Sequence, residues 1–320
     1  MGRGGSRTSG TRRAPPWRPI GLFLTPALAL YGAFVVVPVL MTFFNSVHRL
    51  QVFGASGIKY TYVGFQHYLA LLPRFQPPLG ITWPDKTFGL AVQHSLTWAL
   101  VSPFLEIPLA LLLAYVLTLG VPFARFFRFA WFTPVLISWV VVGIMFRWIY
   151  NYEWGVVNSV LRTVGLGSLA MNWFGRLETA FPALIAMSTW KFVGFNMVVL
   201  LAAISAVPRE LLEAARIDGC DRRQVLWHVI TPLLRVPIVN LSILCFMGKM
   251  EAFAAVWVTT QGGPVFTTET VATYLQKRAF NWQTLDLGYP SAMAVIWFVV
   301  VFILAMSFQR LLQRREIVEF

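Results

Sequence analysis

Five ionisable side chains stand inside or at the edges of long apolar stretches of this 320-residue chain: Glu106, Arg147, Lys191, Lys249 and Glu251. Charges at membrane depth are costly and generally face a bundle interior or a wet cavity, which makes each a candidate for function. Arg147 and Glu106 lie near prolines or stretch ends, where snorkelling to an interface and a hydrogen bond to a neighbouring helix account for them. Lys191, Lys249 and Glu251 fall well within their stretches. Lys249 and Glu251 have the types needed for acid–base work, as in an intramembrane protease or lipid transferase, but no paired catalytic motif accompanies them. The four histidines (48, 67, 94 and 228) lack metal-ligand spacing, and neither G-x-S-x-G nor H-E-x-x-H occurs. No G-x-x-x-x-G-K-[ST] loop is present, so the chain has no means of hydrolysing ATP by itself. Cys220 and Cys245 fall in different kinds of segment and make neither a disulfide framework nor a metal site. No catalytic and no metal-binding residue emerges.

The elements that must hold these charges follow from composition. The chain is 57% hydrophobic and only 12% charged, with a mean hydropathy of +0.66, whereas soluble domains carry about 25% charged residues. Too little polar surface remains to keep a globule of this size in water, so the fold class is all-α, polytopic and integral to a membrane. Measured against the ~20 residues a helix needs to cross a bilayer, six spans emerge. They are 20–44, 90–119, 126–150, 181–207, 233–260 and 287–308, with prolines implying kinks or interfacial ends. The organisation is a basic arm over 1–19, a six-span body over 20–308 and a tail over 309–320. The arm is rich in Gly, Arg, Ser and Pro, reads as disordered and could touch anionic lipid. It resembles the start of a signal peptide, but the long span after it and the lack of a clear cleavage site predict a retained anchor. The net charge of +13 would suggest nucleic acid for a soluble chain; here location matters more. One set of connections holds 15 Lys/Arg and the other, although longer, holds 8. The positive-inside rule therefore places both termini in the cytoplasm.

The cytoplasmic connection over 208–232 has a pattern of its own. Pro208 suits a first helical position, Glu210 and Glu213 favour the positive end of the dipole, and Gly219 is a natural stop. After that turn Asp221 can cap a second helix whose Val225, Leu226 and Val229 repeat at helical spacing up to Pro232. Ala214 and Ala215 leave a low-relief patch that another protein's backbone could approach. Amphipathicity alone leaves a plain interfacial connector equally open.

The residues Glu213-Ala214-Ala215, then Gly219, then Pro232 resemble the EAA loop of ATP-binding-cassette importer permeases; Val229 and Thr231 depart mildly from its closing I-x-L-P. Further segments resemble the carbohydrate-importer branch. They are 150–158 (YNYEWGVVN), 190–197 (WKFVGFNM), Gly262-Gly263-Pro264, Thr268-Glu269-Thr270, Ala279-Phe280 and 287–294 (LGYPSAMA). The likeness covers most of the chain from Pro26 and is specific because several spaced matches keep topological order. It implies the type I importer permease fold, in the maltose, trehalose and glycerol-phosphate group, like a first permease but without that subunit's large extra outer domain. It also implies that Glu213, Ala214, Ala215, Asp218 and Gly219 couple the chain to an ATPase. The implied partners are a second permease, two ATPase subunits that bind ATP and Mg, and an external solute-binding protein. No cofactor in this chain, no enzymatic activity and no nucleic acid are implied, and the place is the cytoplasmic membrane of a prokaryote.

For such a permease the solute site lies near the bilayer midplane. A pyranose presents hydroxyl edges and apolar C–H faces, so polar groups beside aromatic rings are needed. Ser188, Thr189, Lys191, Phe195 and Asn196 on the fourth span match the stretch that lines the cavity in the related maltose permease. Gly248, Lys249, Glu251, Ala252 and Phe253 occupy the corresponding stretch of the fifth. Thr189, Lys191, Glu251 and Phe253 lead this set, against a reading in which the charges form a structural Lys–Glu pair around a packed ring. Trp190 and Trp257 could stack on sugar but suit packing or an interfacial belt better. Arg74, Lys59 and Lys86 in outer loops could meet an acidic binding protein. The expected solute is a neutral di- or oligosaccharide, because Glu251 beside Lys249 lowers the positive field that glycerol-3-phosphate or another phosphorylated polyol would prefer. A channel or an intramembrane enzyme is the more distant alternative.

Overall fold

In the computed structural model, residues 17–52, 57–76, 80–280 and 286–313 are described. Most of the basic arm and most of the tail therefore lie outside the described residues. The chain is already helical at Trp17, before the expected start at 20: α1 (Trp17–Tyr31), a π turn over Gly32–Val36 and α2 (Val37–Ser46) make the first span. That span buries almost none of its apolar surface within the chain; α2 packs against the last helix and against the strand that follows it.

Two short antiparallel hairpins follow, an addition to the all-α expectation. β1 (His48–Val52) pairs with β2 (Ile58–Tyr62) in the register His48 opposite Tyr62. After α3 (Gln66–Leu71), β3 (Arg74–Gln76) pairs with β4 (Gly80–Thr82), Arg74 opposite Thr82. Asp85 then starts the long α4 (Lys86–Thr118) by accepting the Phe88 N–H at 3.0 Å, an N-cap that satisfies one of the first-turn donors.

The third and fifth spans are broken where hydropathy reads them as continuous. α5 (Ala124–Leu136) and α6 (Trp139–Ile149) meet at 106°. Pro134 precedes the bend, and Ser138 restarts the helix by accepting the Val141 N–H at 3.4 Å. α7 (Val156–Thr163) leads across a loop to α8 (Ala180–Ser205), which pairs with α4 at the centre of the bundle. Gly194 lets α8 close on α5, since a Cβ there would run into the Trp131 carbonyl.

The loop after α8 folds into the two short helices its sequence predicts, except that Pro208 caps the first from outside instead of opening it. α9 (Arg209–Ile217) stops at Gly219, whose φ of +84° suits glycine. Asp221 and Gln224 form a capping box at α10 (Arg222–Gln224), which runs through a π turn over Val225–Ile230 into α11 (Thr231–Leu233). α12 (Arg235–Met250) leaves at 75° to that helix. It unwinds over 251–253 before α13 (Ala254–Thr259), and α14 (Val271–Ala279) and α15 (Gly288–Gln313) complete the chain. The described residues thus hold four uninterrupted helices long and apolar enough to cross a membrane, and six spans if each bent pair counts as one.

Candidate functional site: a mid-bundle cavity and the loop beneath it

A cavity of about 470 Å³ opens where α8, α12 and the unwound 251–253 segment face α4 and the start of α6. Ser188 and Asn196 lie well inside the 26-residue α8, at least about 12 Å from either end at 1.5 Å per residue. The unwound backbone sits at the same depth. Irregular backbone is tolerated inside a membrane only where it is buried in protein or lines a cavity. Here the Ala252 carbonyl, freed by the break, accepts the Thr270 hydroxyl at 2.8 Å.

Eight of the ten residues expected to bind solute line this cavity: Ser188, Phe195, Asn196, Gly248, Lys249, Glu251, Ala252 and Phe253. Thr189 and Lys191 do not. The Thr189 hydroxyl is buried without a hydrogen-bond partner. Lys191 is 3% exposed and sits behind the Trp139 ring, 5.2 Å from its centre, donating to the carbonyls of Pro134 at 2.9 Å, Val135 at 3.2 Å and Ile137 at 2.5 Å. These carbonyls sit at the C-terminal end of α5, where the helix bends away and leaves acceptors unpaired. An ammonium there satisfies three of them and complements the negative end of the dipole. Lys191 is therefore a brace for the broken span and not a side chain presented to the cavity. Spacing along α8 could not reveal this, because the acceptors lie more than fifty positions earlier.

The lysine–glutamate pair also differs from the expected one. Lys249 pairs with Glu106 of α4, Nζ to Oε1 at 2.8 Å, and not with nearby Glu251. Its ammonium also donates to the Ser188 hydroxyl at 2.7 Å and lies 4.2 Å from the centre of the Phe192 ring. The second Glu106 oxygen accepts from Asn196 at 3.4 Å and from the Cys245 thiol at 3.3 Å. Glu106 does reach neighbouring helices, as its sequence reading had it, but as the charged centre of a network joining α4, α8 and α12. Cys245, given no role from sequence, belongs to the same network. Glu251 caps the end of α12 and is exposed. Trp139 and Phe192 add aromatic faces to the cavity, and Phe253 stacks on Trp257 at 5.3 Å. Trp190 packs on Phe146 instead.

At one end of the bundle, the 208–232 loop is fused to the helices that wall the cavity. Ala215, Val225, Leu226 and Ile230 bury into one core with Tyr115 and Leu117 of α4 and Leu200, Leu201 and Ile204 of α8. The Tyr115 hydroxyl donates to the Arg222 carbonyl at 2.9 Å. Glu213, Ala214, Asp218 and Gly219 face outward, while Ala215 turns inward. The exposed patch is therefore Ala214 with its charged neighbours, and Ala215 anchors it; two adjacent helical positions cannot share a face.

At the opposite end two of the segments noted in the sequence meet. Tyr150, Asn151, Tyr152 and Glu153 line one wall of a polar cleft of about 670 Å³, and Gly263 and Pro264 line the other. Arg147 is exposed and lines the same cleft. Asn158, fully buried, holds the first wall: its amide donates to the carbonyls of Asn151, Tyr152 and Met171 and accepts from Met171 and Trp173. Nearby, Asp85 accepts from Tyr274 at 2.8 Å and Tyr289 at 2.7 Å. Burial, with that bond to a carboxylate, pushes the Tyr274 hydroxyl up to about 12.

Residues 106–318 match the family described as binding-protein-dependent transport system inner membrane component. This chain is a member of that family. Over 293 residues it is 31% identical to the probable ABC transporter permease protein YurN of Bacillus subtilis, covering 91% of this chain and 94% of that one. It is 30% identical to the sulfoquinovosyl glycerol transport system permease protein SmoG of Agrobacterium fabrum, covering 92% and 90%. A solved chain of a bacterial ABC transporter that imports the acidic polysaccharide alginate has the same fold, with a TM-score of 0.76 at 22% identity over 95% of this chain and 96% of that one. The chain is thus an inner-membrane transport subunit with the type I importer permease fold, and not an enzyme.

Proposed function

We propose that this permease carries a di- or oligosaccharide through the mid-bundle cavity, as one of two permease subunits of an ATP-driven importer. The relatives named for arabinooligosaccharides and trehalose/maltose support the solute class. The observation that carries the mechanism is continuity: α8 and α12, which wall the cavity, are the two helices joined by the 208–232 loop. A displacement of that loop must move both walls, since packed cores shift as units. Glu213, Ala214, Asp218 and Gly219 form the face offered to an ATPase subunit, with Ala215 as its anchor. The ATPase pair binds ATP and Mg, and both termini and the loop lie in the cytoplasm. A solute-binding protein then delivers sugar at the opposite end, near the 150–153 and 263–264 cleft. In the cavity, Phe195 and Phe253 offer faces to the ring C–H groups, and Asn196, Ser188 and Glu251 offer partners to hydroxyls.

The test is ATPase activity of the reconstituted complex with its binding protein against maltose, trehalose, longer glucans, arabinooligosaccharides and glycerol-3-phosphate. Stimulation by a neutral saccharide is expected. Stimulation by glycerol-3-phosphate alone would overturn the solute class.

A further inference from the structure

We propose that Glu106 sets the charge selectivity of the cavity, so that uncharged saccharides are admitted while uronates and phosphorylated sugars are excluded. The inference rests on the sugar-import reading above and adds to it the residue that decides between solutes. Two cations flank the cavity, and neither is free. Lys191 is not on the lining: its ammonium is held by three carbonyls at the bend, behind the Trp139 ring. Lys249 does line the cavity, but its ammonium is held by Glu106 at 2.8 Å and Ser188 at 2.7 Å, over the Phe192 ring. The pair is nearly sealed, with side-chain exposures of 7% for Lys249 and 1% for Glu106. The remaining charge on the lining is the exposed carboxylate of Glu251. An anionic solute entering here loses its hydration, finds no cation on the lining without a carboxylate partner and meets a like charge. A neutral sugar meets aromatic faces, hydroxyl and amide partners without that penalty.

The fold does not impose this choice, since a solved chain with the same fold serves an importer of an acidic polysaccharide. Side chains must decide it, and Glu106 is the one that pairs with Lys249, the single cation on the lining among the described residues. Replacing it with glutamine keeps the shape and hydrogen-bonding capacity toward Asn196 while releasing the charge of Lys249.

The experiment uses the complete complex of permeases and ATPases in nanodiscs, without the binding protein, whose own selectivity would otherwise intervene. Equilibrium binding of neutral gluco-, xylo- and arabino-oligosaccharides is compared with that of uronate oligosaccharides of matched length, by saturation-transfer NMR. Wild type should favour the neutral set by about tenfold or more, and Glu106→Gln should shrink that ratio by about tenfold. The double variant Glu106→Gln with Lys249→Met has no free cation and should restore the neutral preference, which separates a charge effect from a general distortion. Glu251→Gln, on the exposed rim, tests the remaining charge if the buried variants do not assemble, and should also raise uronate binding. Equal binding of both classes by wild type, or an unchanged ratio in Glu106→Gln, overturns the proposal. Absence of binding by any saccharide would instead bring down the sugar-import reading, and this proposal with it.

Discussion

Replacing Lys191 with methionine should destabilise the protein without changing its affinity for solute. The ammonium makes three hydrogen bonds to carbonyl oxygens at the bend between α5 and α6. Each bond to a charged group contributes about 1.5–3 kcal/mol, and a buried acceptor left unpaired costs about 1–3 kcal/mol. Methionine fills a similar volume and no longer buries a charge, which offsets several kcal/mol of the loss. The net cost is therefore about 3–5 kcal/mol, comparable to breaking a buried ion pair by removing one partner. With an unfolding entropy of about 2.1 cal/mol/K per residue, the 320 residues give a fall in thermal midpoint of roughly 5–7 °C. Thermal denaturation of the nanodisc-embedded complex, read by size-exclusion fluorescence, measures that shift. The saccharide concentration giving half-maximal ATPase stimulation, taken below the melting range, measures affinity. An unchanged midpoint together with a tenfold or greater rise in that concentration would refute the reasoning, because it would make Lys191 a ligand rather than a brace.

Gly219→Pro should abolish sugar-stimulated ATPase activity, since proline cannot adopt the φ of +84° at which α9 ends; retained stimulation would contradict the coupling role of the loop. Gly194→Ala should lower the thermal midpoint although alanine favours helix by ~1 kcal/mol, because its Cβ meets the Trp131 carbonyl and overpacking costs about 1–3 kcal/mol. A more stable variant would rule out the close approach of α5 and α8. Asn158→Ala removes five hydrogen bonds and should destabilise by about 2–4 kcal/mol, with faster hydrogen exchange at Met171 and Trp173. Protection unchanged at the Met171 amide and the Trp173 indole N–H would mean that the loop is held by something other than Asn158.

Much of the architecture is legible in the sequence because it depends on sums over neighbouring residues. Six apolar stretches are read from sequence, as the transfer of each residue into lipid adds independently of what the helix later touches, and the described residues answer with four long helices and two bent pairs. The loop is legible for the same reason: Pro208, Gly219 and Asp221 act on the backbone within a few positions, and the folded loop uses Gly219 and Asp221 as expected. Hydropathy cannot tell a straight span from one bent by 106°, since the same residues leave water either way. The bend in turn decides Lys191, which stands in an apolar stretch like a ligand until α5 presents its unpaired carbonyls beside it. The partner of Lys249 is likewise set by packing: Glu251 is two positions away in sequence, but it lies past the end of α12, where the helix unwinds, and is exposed. Glu106, 143 positions earlier, faces Lys249 across the α4–α12 contact. Sequence thus determined which residues enter the membrane and where the chain turns, which are local matters. Only the tertiary structure decided which charges cancel and which remain to meet a solute, because that depends on distances between helices far apart along the chain.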